Sequence, residues 1–298
     1  MRIWQPSPSS RKVGYIVQKG FDYPKKIGDQ LNQLDVTLIS KHHSDKHTTH
    51  GINRFGANDH RDFEYKYPII RTTADDYPDS WISSMKIVHI ISSAERAIEV
   101  VDEWRQRNPQ SQAQFIWEPL PWTCLPENFD QICKASQKID IITPNHEEIA
   151  DMLGHKFDEL FLKSNKNFKQ TVEYCSQELF KAINRPSITL VVRASKYGAF
   201  IKTKDIMEWT PAYWNWETDQ QHVVDVTGAG NAFCGGYAAG WIQTEKDPVQ
   251  SALYGAVSAS YVVEQIGVPS LSKDEQWNQG LNPMERLNLL KKKWTINQ

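Results

Sequence analysis

The chain reads as an α/β protein with a mostly parallel central sheet covered by helices on both faces. Three observations predict this. From Lys86 onward, short apolar runs alternate with helical stripes, the pattern of strand–helix–strand crossovers. The runs KIVHII (86–91) and SITLVV (187–192) are apolar almost throughout, as expected for strands buried on both faces. With 298 residues, 40% of them hydrophobic, the chain is long enough and apolar enough for a sizeable core.

The elements follow in order. Within Arg11–Asp22, the core Val13–Val17 is strand-like and is closed by Gly20 and Asp22. KHHSDKHTTH (41–50) places His43, His47 and His50 four and three residues apart. On a helix they would share a face able to hold a metal; without an apolar stripe, and set between strand-like pieces, they read as a solvated loop instead. RDFEYKY (61–67) alternates charge and aromatic, as a half-exposed strand does, either an edge strand or a remnant of a β lid. After KIVHII, Ser92 and Glu95 have capping-box spacing. Ala97, Ile98, Val101 and Trp104 then give a helical stripe. Gln114–Trp117 is the next strand, Glu127–Lys138 a helix, and Asp140–Thr143 a strand ending at Pro144.

A helix opens at PNHEEIADMLG (144–154), and His155–Lys169 reads as a polar loop. Thr171–Ile183 is a helix feeding the strand Ser187–Val192, and aromatic-rich Ile206–Thr218 a hairpin or loop. Ser251–Gly267 is an Ala-rich helix ended by glycine, and Asn282–Leu290 a closing helix. No repeat or linker interrupts the pattern, so the expectation is one domain over 1–298.

Composition narrows the function. A net charge of −2 supplies no basic field, so no direct nucleic-acid contact is expected. The four cysteines have no CxxC spacing and read as free thiols in a reducing compartment. No apolar run is long enough to span a bilayer, and MRIWQPSPSSRK lacks the apolar centre of a secretory signal. The expected location is cytoplasmic.

The most informative stretch is HVVDVTGAGNAFCGG (222–236). Val223 and Val224 read as the end of a buried strand, and Asp225–Thr227 as a turn. Gly228, Ala229 and Gly230 leave little side chain over the backbone, and a small-residue helix follows. A helix start presents unpaired N–H groups and a partial positive charge, so a bare one suits an anion such as phosphate. It also reads as a plain turn. A dinucleotide fingerprint would put its third glycine at Phe233, and no Gly-Lys-Ser/Thr follows for a P-loop. Asn145 and Glu148 likewise have two readings: an N-cap with acids in the first turn, or a polar pair at a strand end.

DVTGAGNAF (225–233) resembles the DTxGAGDxF signature of the ribokinase-like (PfkB) sugar kinases, and RKVGYIVQKGFD resembles that family's VGxVGxD segment. The resemblance implies a three-layer α/β/α sandwich with a partial β lid. It covers nearly the whole chain and omits the family's N-terminal strand and its Gly-Gly segment, which carries sugar-binding groups. It implies transfer of the γ-phosphoryl of ATP to a hydroxyl of a sugar or small alcohol. Gly228, Ala229 and Gly230 would form the anion hole, and Asn231 stands where the family has its catalytic Asp. Asn145 would contact phosphate and Glu148 would orient Mg²⁺ through water. Arg193, Ser195 and Gly198 correspond to a TxGxxG-like turn beside the nucleotide, and Ala256 to the helix that walls the adenine. Asp225 and Thr227 resemble a monovalent-cation site for K⁺.

FIWEPLPWTCLP (115–126), the Asn after GAG, and YVVEQIGVPSL (261–271) resemble one branch in particular, the fungal maintenance-of-killer proteins. That branch is linked to the stability of viral double-stranded RNA particles. Two functions follow as expectations: an ATP-dependent sugar kinase weakened by Asn231, or a non-catalytic nucleotide-binding protein on the same scaffold.

Overall fold

The computed structural model describes residues 1–55, 61–163, 166–215 and 217–296. The chain forms two compact units, one of Arg2 and Trp4–Trp81, the other of Met1, Ile3 and Ile82–Gln298.

In the first unit β1 (Gly14–Gly20) is followed by α1 (Lys25–Gln33) and pairs in parallel with β2 (Thr37–His43), Gly14 opposite Thr37. β3 (Gly51–Phe55) and β4 (Arg61–Tyr65) form an antiparallel ladder. The alternating segment at 61–67 is thus a strand over Arg61–Tyr65, and part of 41–50 belongs to β2. The histidines there are not gathered: His43 Nε2 lies 2.7 Å from Gln18 Oε1 and His47 Nδ1 2.7 Å from Asp22 Oδ2. The boundary between the units falls within α2 (Asp79–Ser84).

The second unit carries a six-stranded sheet. β5 (Ile87–Ser92) leads through α3 (Ala94–Arg107) to β6 (Gln114–Pro119), and α4 (Phe129–Ser136) leads to β7 (Ile141–Ile142). α5 (His146–Met152), α6 (Phe157–Lys163) and α7 (Phe168–Ile183) precede β8 (Thr189–Arg193), β9 (Ala199–Lys202) and β10 (Met207–Thr210). α8 (Ala229–Gln243), α9 (Pro248–Val263) and α10 (Pro283–Ile296) complete the chain. The strand order is β10-β9-β8-β7-β6-β5. β5 to β8 run parallel, and β9 and β10 are added antiparallel. The expected mostly parallel, helix-covered sheet is what forms.

Strand alternation divides the core between two faces. Ile116, Ile141, Val191 and Ile201 pack with Phe233, Cys234, Tyr237 and Trp241 of α8. Phe115, next to Ile116, points the other way, where its ring meets Trp104 of α3 edge-on at 6.0 Å between centroids. Both rings are fully buried, and such a pair adds about 1 kcal/mol beyond its buried area.

α8 and α9 approach closely because α8 carries small residues. A Cβ placed on Gly236 would lie 2.1 Å from Ser258 Oγ and 2.6 Å from Tyr254 O. Gly236→Ala is expected to wedge the helices apart and cost about 2 kcal/mol in urea unfolding, the usual range for overpacking a dense core.

Three local expectations need correction. Val223 and Val224 do not end a strand: they follow a 3-10 turn at Gln220–His222, and Val224 is 58% exposed. The cap of α3 is Ser93, whose Oγ accepts from the Arg96 N–H; Ser92 Oγ donates to Ser93 O instead. The stretch read as a loop at 155–169 contains α6. A local pattern sets a helix's existence better than its boundary, which depends on which serine the chain geometry presents.

Candidate functional site at the carboxyl edge of the sheet

Strand ends place the polar groups. β7 ends at Ile142, two residues before Pro144, and Asn145 caps α5. Asn145 Oδ1 accepts from the Glu147 and Glu148 N–H groups at 2.9 and 2.8 Å. Glu148 Oε2 accepts from Asn145 N at 2.7 Å and Oε1 from Asn145 Nδ2 at 2.9 Å. This is a reciprocal capping box, so the capping reading of the pair is realised in full.

β8 delivers Arg193 beside it. Its N–H donates to Pro144 O and its Nε to Thr143 O at 3.1 Å. Nη1 lies 2.8 Å from Glu118 Oε1, at the end of β6, and Nη2 lies 3.2 Å from Glu148 Oε2. The three side chains are 14%, 7% and 5% exposed. Arg193 is therefore a buried clamp between two carboxylates. The resemblance placed it in a turn beside the nucleotide; in the structure its guanidinium is buried against Glu118 and Glu148.

The glycine turn meets the same guanidinium. Gly228 is the N-cap of α8 at φ +84°, a conformation that disfavours side chains. A Cβ on Gly230 would fall 2.2 Å from Arg193 Nη1 and 3.7 Å from Glu118 Oε1. Gly230 is thus bare because a guanidinium lies against it. Ala229 is half-buried, and Asn231, in the first turn of α8, is exposed. Asp225 is half-buried and its Oδ1 accepts from the Thr227 N–H at 2.9 Å, closing the turn; Thr227 is exposed.

The turn after β8 keeps a glycine-like backbone with one glycine fewer. Ser195 sits at φ +53° and Gly198 at φ +90°, where a Cβ would fall 2.0 Å from Thr210 O. Ala256 is buried within α9, 6% exposed. A cavity of about 540 Å³ is lined by Tyr197, Trp209, Trp214 and Trp294, among others. Another of about 500 Å³ is lined by His222, Glu264 and Asn278, among others. Neither is lined by Glu148, Arg193 or the 227–231 turn.

The charges respond to burial. Burial pushes the Glu148 carboxyl up to about 7, against the opposing pull of Arg193 and of the Asn145 N–H. Burial also works to raise Glu118, but His89 and Arg193 outweigh it and the carboxyl lies below its usual range. Burial would lower Arg193, yet Cys234 and the two carboxylates beside it hold it above the ordinary arginine value. One cation is shared by two buried acids.

This set bears on Mg²⁺, which prefers carboxylate oxygens and retained water. Both Glu148 oxygens are already engaged by Asn145, and Oε2 faces a guanidinium as well. As arranged, Glu148 is not free to ligate a divalent ion directly.

Glu118 was not singled out from the sequence. Its signal is a charged residue ending the buried apolar run FIW. His89 on β5 and Cys234 on α8, which lie beside it, carried no sequence signal at all.

Comparison with known proteins agrees with this architecture. The chain is 30% identical over 302 residues to an uncharacterized protein of Schizosaccharomyces pombe, covering 96% of this chain and 81% of that one. It is 24% identical over 295 residues to Protein MAK32 of Saccharomyces cerevisiae, covering 94% and 78%. In fold it matches ribokinase from Giardia lamblia (TM-score 0.68, 14% identity, 98% of this chain and 86% of that chain). It also matches ribokinase from Cryptococcus neoformans in complex with ADP (TM-score 0.65, 15% identity, 98% and 85%). No described helix is long and apolar enough to cross a membrane. The profile described as pfkB family carbohydrate kinase spans residues 20–275, from the end of β1 past α9, and with the ribokinase-like sheet this makes the chain a member of the pfkB family.

Proposed function

We propose that this chain is a nucleotide-binding PfkB protein, spanning 1–298 as one family domain, with strongly attenuated phosphoryl transfer to a sugar or small-alcohol hydroxyl. The observation that carries this reading is the Arg193 clamp. The carboxylate expected to orient Mg²⁺ is committed to a capping box and an ion pair. Nucleotide binding is supported by family membership, by the bare start of α8, and by the ADP held by a ribokinase of the same fold. ATP is the expected nucleotide. Gly228, Ala229 and Gly230 would face its phosphates, and Asn145, Ser195, Gly198 and Ala256 would border it. Asp225 and Thr227 would be the place for K⁺.

Asn231 adds a second deficit, because an amide takes no proton near neutral pH. General-base catalysis is worth about 10²–10⁴-fold. Phosphoryl transfer rests mainly on positioning and electrostatics, so losing the base slows it without abolishing it. The likeness to MAK32 favours the same reading, a scaffold whose role in a maintenance-of-killer branch need not depend on turnover.

The test is ATP binding by calorimetry together with turnover over many hours, in wild type and Asn231→Asp. Wild type is expected to bind ATP with turnover far below the usual 1–100 s⁻¹ of kinases. The variant is expected to gain about 10²-fold, the low end of the general-base range, since Arg193 still holds Glu148. ATP binding by neither protein, or wild-type turnover in the ordinary kinase range, would overturn the proposal.

A further inference from the structure

Beneath the Arg193 clamp lies a group of side chains that the proposed function does not use. His89 Nε2 and Glu118 Oε2 are 3.2 Å apart, yet both atoms are buried and neither makes a hydrogen bond. The Glu118 side chain is 7% exposed, and Cys234 is fully buried. The ligating atoms of His89, Glu118 and Cys234 all lie within 4.8 Å of one another. Among the described residues, no other group of three such side chains converges in this way.

We infer that His89, Glu118 and Cys234 form a binding site for a zinc-class divalent cation, which pins the first turns of α8 to the middle of β5 and the end of β6. The donor set of one imidazole, one carboxylate and one thiol suits a borderline-soft ion and argues against Mg²⁺ or Ca²⁺. Ligands at about 2.0–2.3 Å from a tetrahedral zinc are themselves roughly 3.3–3.7 Å apart. The His89–Glu118 pair already stands near that separation, and Cys234 has only a short distance to close.

The orphaned atoms gain a partner from such an ion. Burying polar atoms without one is costly, and metal coordination is one of the few ways to satisfy them in a dry interior. Charge agrees as well. Above about pH 7, where both carboxylates are ionised, Glu118 and Glu148 against one Arg193 leave one net negative charge, whereas a divalent ion with a thiolate brings one net positive charge. Arg193 engages Glu118 through Oε1, leaving Oε2 to the ion. On binding, the Cys234 S–H bond breaks, a sulfur–metal bond forms and the proton leaves to solvent. Cys234 Sγ also lies 3.3 Å from Thr143 Oγ1, its hydrogen-bonding neighbour. The other reading, a metal-free ion pair of protonated His89 with Glu118, is one of the outcomes tested.

The probe is cobalt(II) titrated into the full-length chain after chelator treatment, in a Cys133→Ser background that removes the least buried thiol. One equivalent is expected to give tetrahedral ligand-field bands and a thiolate-to-cobalt charge-transfer band, both lost when zinc is added. Cys234→Ala should abolish the charge-transfer band. It should weaken cobalt binding by at least about 100-fold in chelator competition, since even an outer-shell change costs 10–100-fold. His89→Gln, at a partly exposed position, gives the same affinity loss should Cys234→Ala fail to fold. Absence of stoichiometric cobalt binding, or a cobalt spectrum that lacks the charge-transfer band, overturns the inference. So does an affinity that a folded Cys234→Ala or His89→Gln leaves unchanged.

Discussion

Arg193→Met is expected to destabilise the protein by about 3–5 kcal/mol at pH 8, read as a fall in the midpoint of urea unfolding at unchanged slope. The size follows from what remains behind. Arg193 is the cation between Glu118 and Glu148, and both acids are buried. Above about pH 7 both carboxylates carry charge. With the guanidinium removed they face each other in a medium that screens poorly, and each also loses a charge-assisted hydrogen bond. The Nε bond to Thr143 O goes as well, leaving a strand-end carbonyl to find water.

Methionine keeps much of the stem volume, so lost packing is a small part of the effect. The control is the triple variant Arg193→Met, Glu118→Gln, Glu148→Gln. Replacing a whole buried ion cluster by neutral groups is commonly near neutral in stability, whereas breaking one partner is not. Recovery of more than half the loss identifies uncompensated charge as the cause. A single-variant loss below 1 kcal/mol would show that the clamp is held loosely. Arg193→Lys should not rescue, because an ammonium cannot span two carboxylates as a planar fork does.

The clamp shows what a single sequence carries and what it does not. The sheet was legible because a parallel strand buried on both faces leaves a continuous apolar run, as at Thr189–Arg193, and the crossover helices leave stripes between strands; the apolar run at Ile87–Ser92 is instead an edge strand with Ile91 46% exposed. Asn145 and Glu148 were legible as a pair because a capping box is a local relation with fixed spacing. The GAG turn was legible because Gly228 adopts a positive φ and Gly230 faces a close neighbour.

What that neighbour is was not legible. Arg193 and Glu148 are 45 residues apart, and only the register of β7 beside β8 brings them together. Ser195 shows the converse. Its backbone keeps a left-handed turn that a glycine would take without strain, so a substitution that looks disruptive in the sequence leaves the local path intact. Val223 and Val224 misled because two residues have no period, and an apolar pair before a glycine turn packs as readily against a helix end as in a strand. The Val224 N–H in fact donates to Val263 O, at the end of α9. His89, Glu118 and Cys234 lie on three separate elements with no spacing rule to link them.

Between pH 4.5 and 7 the wild-type protein is expected to lose stability, relative to Glu148→Gln, by about 3 kcal/mol, the free-energy equivalent of a carboxyl moved from 4.5 to about 7. The direction follows from proton counting. In this window the folded state holds a proton on Glu148 that the unfolded state has released. Folding is therefore favoured by acid, and stability falls as pH rises. The loss is complete once pH exceeds the folded value of about 7. Glutamine cannot ionise, and it keeps the capping role, since the third helical position accepts Gln as well as Glu.

Groups common to both proteins cancel in the difference. What remains is the ionisation of Glu148 and its coupling to its neighbours: Arg193, which favours the anion, and Glu118 and Glu147, which oppose it. The comparison thus weighs desolvation against the clamp. If Arg193 and the Asn145 donors dominated, Glu148 would stay ionised well below pH 4.5. Wild type would then gain on the variant as pH rose from 3 to 5 and run parallel to it thereafter. Urea unfolding of both proteins at pH 5 and pH 8 separates the two cases. Divergence across that interval means that the strand-end acid is protonated when folded in mild acid. Constant spacing means that its charge is held by arginine throughout.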